Sequence, residues 1–286
     1  MDNCRPSIFA WGDASIAWIA ELREPWLNSV MRVISSLGKE GAVLFILALA
    51  YWFWNKRHAK TLTLGMFSAL ILNLWIKSLV MECRPPHQFH LQEVHDYSFP
   101  SGHAQVCMLV WGGFAYYLRS RWLSPLCLLI GLLIAFSRPY LGVHYPQDVI
   151  AGLLLGLGVL IICILFEKKN WAPLGRFPLI GQAFILLLFL SILPFIIADP
   201  RGLTQIAVGG LFGFWLGYQW EERTVHYVPN RSLLPMSINA CIGIIGILVL
   251  WQGLTVSHYL QYGLLSLWIA YGAPVIFNLT NKYLRS

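Results

Sequence analysis

Three short clusters in this 286-residue chain hold ionisable side chains at spacings that could do chemistry. Lys77 and Arg84 lie seven residues apart, so a continuous helix would point both the same way before Pro85-Pro86 stopped it. Phe99-Pro100-Ser101-Gly102-His103 stands immediately before an apolar run. Small residues at a helix start leave backbone N–H groups and the positive dipole end exposed, and phosphate is the common occupant of such a site. Arg138 closes another apolar run, and His144 and Asp148 follow, four residues apart. At that spacing a carboxylate can accept from one imidazole nitrogen and leave the other available as nucleophile or base. Three cations, an anion-binding helix start, two histidines and a carboxylate point to phosphoryl chemistry.

Each residue also has an ordinary reading. Lys77 could snorkel to an interface, while Arg84 and Arg138 could anchor there or sit in structural ion pairs. His103 and His144 could be polar interhelical contacts. Asp148 could simply favour a helix dipole, and Ser101 could be an N-cap. The loop with His87, His90, Glu93, His95 and Asp96 matches no standard metal spacing. It reads as a solvated, substrate-facing loop, and no metal or cofactor is expected.

The elements that must position these residues are apolar helices. The chain is 57% hydrophobic and 12% charged, with mean hydropathy +0.62. A soluble domain is nearer ~45–50% apolar and ~25% charged, so this composition excludes a soluble globule and also disorder. Apolar stretches at 41–55, 60–80, 101–118, 122–138, 147–166, 177–198, 203–219, 235–254 and 259–278 can cross, or nearly cross, ~30 Å of hydrocarbon. The expected fold is all-α: a polytopic transmembrane helical bundle of about nine spans, with eight to ten allowed. Residues 14–38 carry Glu21, Arg23, Glu24 and Pro25 within an apolar pattern, which suits an N-terminal interfacial amphipathic helix better than a span. The division read here is an N-terminal interfacial segment at 1–40, a membrane core at 41–170 and additional C-terminal helices of unknown role at 171–286.

The formal charge of +7 does not indicate nucleic acid, because the basic residues cluster between apolar runs. Two spans separate the 77–103 and 138–148 regions, so both emerge on one side of the membrane. Lys56, Arg57, Lys60, Arg119, Arg121, Lys168, Lys169, Arg176, Arg223, Arg231, Lys282 and Arg285 fall on the other side. Five cations outside the motifs share the motif side, so the cation-poor motif side should face outward. That is the periplasm of a bacterial inner membrane, or a lumen in a eukaryote. Met1-Asp2-Asn3-Cys4-Arg5-Pro6 lacks a signal-peptide pattern, so insertion is expected to use the first span. The six cysteines form no C-x-x-C pair, although Cys4 and Cys83 could share a side and pair.

Lys77-x6-Arg84-Pro85, Pro100-Ser101-Gly102-His103 and Ser137-Arg138-x5-His144-x3-Asp148 together resemble the three signature motifs of the type 2 phosphatidic acid phosphatase superfamily. The resemblance covers roughly residues 60–166. It implies that His144 attacks phosphorus and forms a phosphohistidine, that Asp148 holds its tautomer, and that His103 protonates the leaving oxygen and then activates water. It implies phosphate binding by Lys77, Arg84, Arg138, Ser101 and the Gly102 N–H, without a metal or cofactor. The expected partner is a membrane lipid phosphate or diphosphate in the bilayer. A lipid phosphotransferase using the same site and a transporter of phosphate headgroups are the alternatives.

Overall fold

The structure, a computed structural model, describes residues 4–7, 11–170, 177–197, 199, 202–230, 232–253 and 257–283. Residues 1–3 and four of the cations counted for orientation, Arg176, Arg201, Arg231 and Arg285, lie outside them. Among the described residues the fold is helical, with one isolated bridge between Arg5 and Glu82. The helices are α1 (Trp11–Glu21), α2 (Pro25–Ser36), α3 (Glu40–Phe53), α4 (Lys56–Val80), α5 (Gly102–Leu118) and α6 (Leu123–Tyr140). They continue with α7 (Pro146–Lys168), α8 (Leu179–Ile196), α9 (Leu203–Thr224), α10 (Leu233–Gly253) and α11 (His258–Tyr283). A π-helical turn occupies Trp268–Gly272 within α11.

A helix, α3 to α11, covers most of each of the nine expected apolar stretches, of which residues 198 and 254 lie outside the described residues. Among the described residues, six helices can cross a membrane by length and hydropathy: α4, α6, α7, α8, α10 and α11. A seventh span results if α2 and α3, bent by 55° where they join, count as one. Leu154 and Ile161 on α7, Phe184 and Leu188 on α8, and Val249 on α10 are exposed, the outward apolar faces that hydrocarbon covers.

Residues 14–38 form two helices, not one. Pro25 cannot supply a backbone N–H or accept a preceding helical turn, so α1 ends at Glu21 and α2 restarts at Pro25. A second difference lies beyond α4. That helix stops at Val80, and Met81 takes a left-handed conformation (φ 54°), so Arg84 is not on the helix that carries Lys77.

The chain divides into two compact units. The first comprises 1–43, 69–165 and 196–201. Within it α5 packs along α6, and α1 and α2 pack on α6. A disulfide joins Cys4 to Cys83, which ties the N-terminal segment to the residue before Arg84. The second unit comprises 44–68, 166–195 and 202–286. Its main contact is α9 against α11, brought close by Gly209 and Gly213: a Cβ on Gly213 would sit 2.0 Å from the Gly263 carbonyl oxygen.

Candidate active site

The turn between α6 and α7 sets the geometry of the site. After α6 ends, Gly142 adopts φ 73°, a left-handed conformation, and its N–H and that of Val143 close back onto the Pro139 and Arg138 carbonyls. A Cβ there would also meet the Phe89 carbonyl oxygen at 1.9 Å, so the 87–91 loop can lie on this turn only because residue 142 is glycine. Leu91 N–H donates to Leu141 O at 2.9 Å, and Arg23 Nε donates to Tyr140 O at 3.0 Å, holding the turn from two sides.

Helix α7 then starts with Pro146, whose missing N–H costs nothing at a first helical position. Three residues after Tyr145, the Asp148 carboxylate reaches back and accepts the Tyr145 N–H at 2.9 Å. This is the return half of a capping box. The local rule that starts the helix therefore places Asp148 Oδ2 3.3 Å from His144 Nδ1. His144 precedes α7, so the pair meets across the helix start and not along a helical face. Ser98 Oγ donates to the same Oδ2 at 2.5 Å. Both ends of the pair are buried, His144 at 2% and Asp148 at 0% exposed.

With an anion on the Nδ1 side, that nitrogen carries the proton and Nε2 keeps its lone pair. Arg84 Nη1 donates to Nε2 at 3.2 Å. Burial, then the positive charges of Arg84 and Lys77, hold the His144 imidazole well below its ordinary pKa of 6.5, so it is neutral. Arg138 and His103 also lie close enough for their charge to act on it.

Lys77 and Arg84 converge on one carboxylate. Lys77 Nζ lies 3.0 Å from Asp96 Oδ2, and Arg84 Nη2 pairs with Asp96 Oδ1. Lys77 also donates to the Tyr97 carbonyl and to Ser98 O at 3.4 Å. Arg84 Nε donates to Asp96 O at 2.8 Å, and Nη1 donates to Val143 O as well. Arg138 Nη1 donates to Ser35 Oγ of α2 at 2.5 Å.

Ser101 occupies the position before α5 and is fully buried, yet its hydroxyl makes no cap bond and has no hydrogen-bond partner among the described residues. Its backbone N–H donates to Asp148 O at 3.0 Å, which seats the α5 start beside the α7 start. Gly152 and Gly156 permit that approach, since Cβ atoms there would lie 2.5 Å from Ser101 O and 2.2 Å from Gln105 O. Gly102 opens α5, and His103 follows it. On α4, Asn73 Nδ2 donates to Pro100 O (3.2 Å) and Gln105 Oε1 (2.8 Å), locking the Ser101 turn.

The structure thus links Arg84, His144 and Asp148 by direct contacts and Lys77 to Arg84 through Asp96, with Ser101 attached through its backbone. Gly102 and His103 follow on α5, and Arg138 lies in the last turn of α6. Sequence reasoning missed Ser35, Asn73, Ser98 and the three glycines. It placed Asp96 in a solvated loop, whereas Asp96 is 5% exposed, because two cations lie under it. Of that loop, Glu93 and His95 are exposed as expected, and no group of three His, Cys, Asp or Glu side chains among the described residues is placed to hold a metal ion.

Two family models match the chain: "PAP2 superfamily" over residues 58–172, and "PAP2 superfamily phosphatase, transmembrane extension" over 206–284. The second covers helices that carry no motif recognised from the sequence. Phosphatidylglycerophosphatase B of Bacillus subtilis is 31% identical over 161 residues, 52% of this chain and 79% of the relative. An undecaprenyl-diphosphatase of Sulfolobus acidocaldarius is 32% identical over 151 residues, 50% of this chain and 72% of the relative. The crystal structure of a transmembrane PAP2-type phosphatidylglycerolphosphate phosphatase from Bacillus subtilis superposes with a TM-score of 0.51 at 27% identity, over 58% of this chain and 87% of that one. Likeness at this level, over a buried cluster built from all three motifs, makes the chain a member of the PAP2 superfamily of membrane phosphatases.

Proposed function

We propose that the protein hydrolyses a phosphate or diphosphate monoester of a membrane lipid through a covalent intermediate on His144. The observation that carries this reading is the contact of Asp148 with Nδ1: an anion on that side leaves the Nε2 lone pair directed at the cation cluster. Nε2 attacks phosphorus, and the bond from phosphorus to the lipid oxygen breaks as His103 gives that oxygen a proton. His103, now neutral, takes a proton from water, which attacks the phosphohistidine and releases phosphate. Lys77, Arg84, Arg138, the Ser101 hydroxyl and the Gly102 N–H bind the equatorial oxygens and stabilise the transition-state charge without a metal. The buried, unpartnered Ser101 hydroxyl supports its assignment as a ligand and not a helix cap.

The relatives named for phosphatidylglycerophosphate and undecaprenyl diphosphate support a lipid substrate. The distribution of lysine and arginine supports a site on the periplasmic face of a bacterial inner membrane, or on a luminal face. The test is phosphate release from a panel of lipid mono- and diphosphates by the full chain in detergent with EDTA. His144→Ala should lower turnover by about 10³-fold or more. Wild-type turnover in that variant overturns the mechanism, and loss of phosphate from the donor lipid only when an acceptor lipid is added, with the phosphoryl group recovered on the acceptor, makes the enzyme a phosphotransferase.

A further inference from the structure

The cations assigned to substrate phosphate already hold an anion of the protein's own. Lys77 has three N–H donors, and three acceptors face them: Asp96 Oδ2, Tyr97 O and Ser98 O. Four of the five N–H donors of Arg84 meet Asp96 O, Asp96 Oδ1, Val143 O and His144 Nε2. The two oxygens of one carboxylate thus span both cations, as two equatorial oxygens of a phosphate would.

The charges set the consequence. Lys77, Arg84 and Arg138 are the cations of the site, and Asp96 and Asp148 are buried carboxylates among them. Asp148 is held by Ser98, Tyr145 and His144, so it cannot leave without disturbing the nucleophile. Asp96 touches the two cations themselves. A phosphate dianion placed on Lys77 beside Asp96 would meet a like charge at close range in a buried site, where such repulsion is poorly screened. Of the three acceptors on Lys77, the charged one is therefore the one that yields.

There is space for it to go. A cavity of about 240 Å³ adjoins Arg84 and Asp96, lined also by Glu82, Pro86, His87, His90 and Tyr97 among others. Rotation of the Asp96 side chain toward this cavity would take its carboxylate off both cations and also let Arg84 release His144 Nε2.

Resting on the phosphatase reading of this site, we infer that Asp96 is an internal competitor of phosphate: its carboxylate occupies the Lys77–Arg84 seat in the empty enzyme, is displaced by the substrate's phosphate, and returns to expel inorganic phosphate after turnover. The competition lowers the apparent affinity for every phosphate ligand, because only the fraction with Asp96 displaced can bind.

The test uses the full chain in detergent, with inorganic phosphate as probe by calorimetry and a lipid phosphate monoester as substrate. Asp96→Asn keeps the shape and removes the charge, and Asp96→Ala removes the group. Both should bind inorganic phosphate about fivefold to tenfold more tightly, as expected if the competent fraction is roughly a tenth in wild type. The KM for the lipid should fall in parallel, and inhibition by product phosphate should strengthen. A residue that only positions Lys77 and Arg84 gives the opposite result: equal or weaker phosphate binding in both variants overturns the inference. Tighter phosphate binding with no lipid hydrolysis by the wild type would keep this inference and remove the phosphatase reading. Hydrolysis by wild type without tighter binding in the variants would do the reverse.

Discussion

Asp148 and Glu221 are both fully buried carboxylates, one in each unit, and their surroundings differ in kind. Glu221, at the end of α9, lies 2.8 Å from Lys56 Nζ and accepts the Tyr227 N–H at 2.5 Å. Lys56 is shared with Glu222 at 2.6 Å, so a permanent cation matches the buried charge. Nearby polar groups tie helices in the same closed manner: Trp52 Nε1 donates to Ile269 O at 2.8 Å and Tyr227 Oη to Trp52 O at 3.0 Å. Asp148 has instead a hydroxyl, a backbone N–H and an imidazole on one oxygen, and its Oδ1 has no hydrogen-bond partner among the described residues. A carboxylate paired with a fixed cation holds structure together. One paired with an imidazole sets a tautomer, which is the arrangement chemistry uses.

The largest effect should come from exchanging charge for shape at both carboxylates. Asp148→Asn should lower kcat by about 10²–10⁴-fold, the range for losing the carboxylate that fixes a catalytic imidazole, while the folded enzyme still binds phosphate. Glu221→Gln should leave the kcat of the folded enzyme within about twofold and cost about 1–2 kcal/mol of stability, because Lys56 keeps Glu222 and only one charged contact is lost. The two readouts are phosphate release and thermal melting in detergent. If Glu221→Gln lost turnover as deeply as Asp148→Asn, the comparison would be wrong.

A smaller effect separates Ser98 from an ordinary buried hydroxyl. Its Oγ donates to Asp148 Oδ2 and its N–H to Glu82 O at 2.9 Å, in a segment that also faces Lys77. Ser98→Ala should lower kcat about tenfold with little change in KM, and Ser98→Thr should restore most of it, since a single hydrogen bond to a charged group contributes about 1.5 kcal/mol or more. A change confined to KM or to melting temperature would make Ser98 merely structural.

What could be read in advance follows from these contacts. Lys77, Arg84, Ser101, Gly102, His103, Arg138, His144 and Asp148 stand at motif spacings, and their residue types are costly in an apolar chain without a task. Helix locations were equally legible, because apolar runs bounded by charge and proline have few other solutions. The break at Met81 was not, since no proline or glycine marks it and its left-handed turn serves the contacts beyond it. Asp96 and Ser98 were hidden for a related reason. In a polar loop, burial depends on which cations the loop crosses, and that is a tertiary fact. Gly142, Gly152 and Gly156 are visible as glycines, but the Phe89, Ser101 and Gln105 carbonyls that require them come from distant parts of the chain.

The smallest expected effect concerns pH, and its sign follows from the same contrast. Lys56 has the Glu221 and Glu222 carboxylates at 2.8 and 2.6 Å, a cation among anions. His144 lies among Arg84, Lys77 and Arg138, and burial and those charges both lower its pKa below 6.5, the signature of a base kept neutral. Only neutral Nε2 can attack phosphorus, so activity is present above the folded-state pKa and is lost as pH falls through it. In kcat/KM, which reports the free enzyme, the acid limb assigned to His144 should therefore fall below pH 6.5. Asp96→Asn removes a negative charge from the cations facing His144, leaving their field less compensated, and should move that limb to still lower pH. An acid limb above 6.5, or one that rises in Asp96→Asn, would mean that the cluster stabilises an imidazolium and that His144 is not the nucleophile.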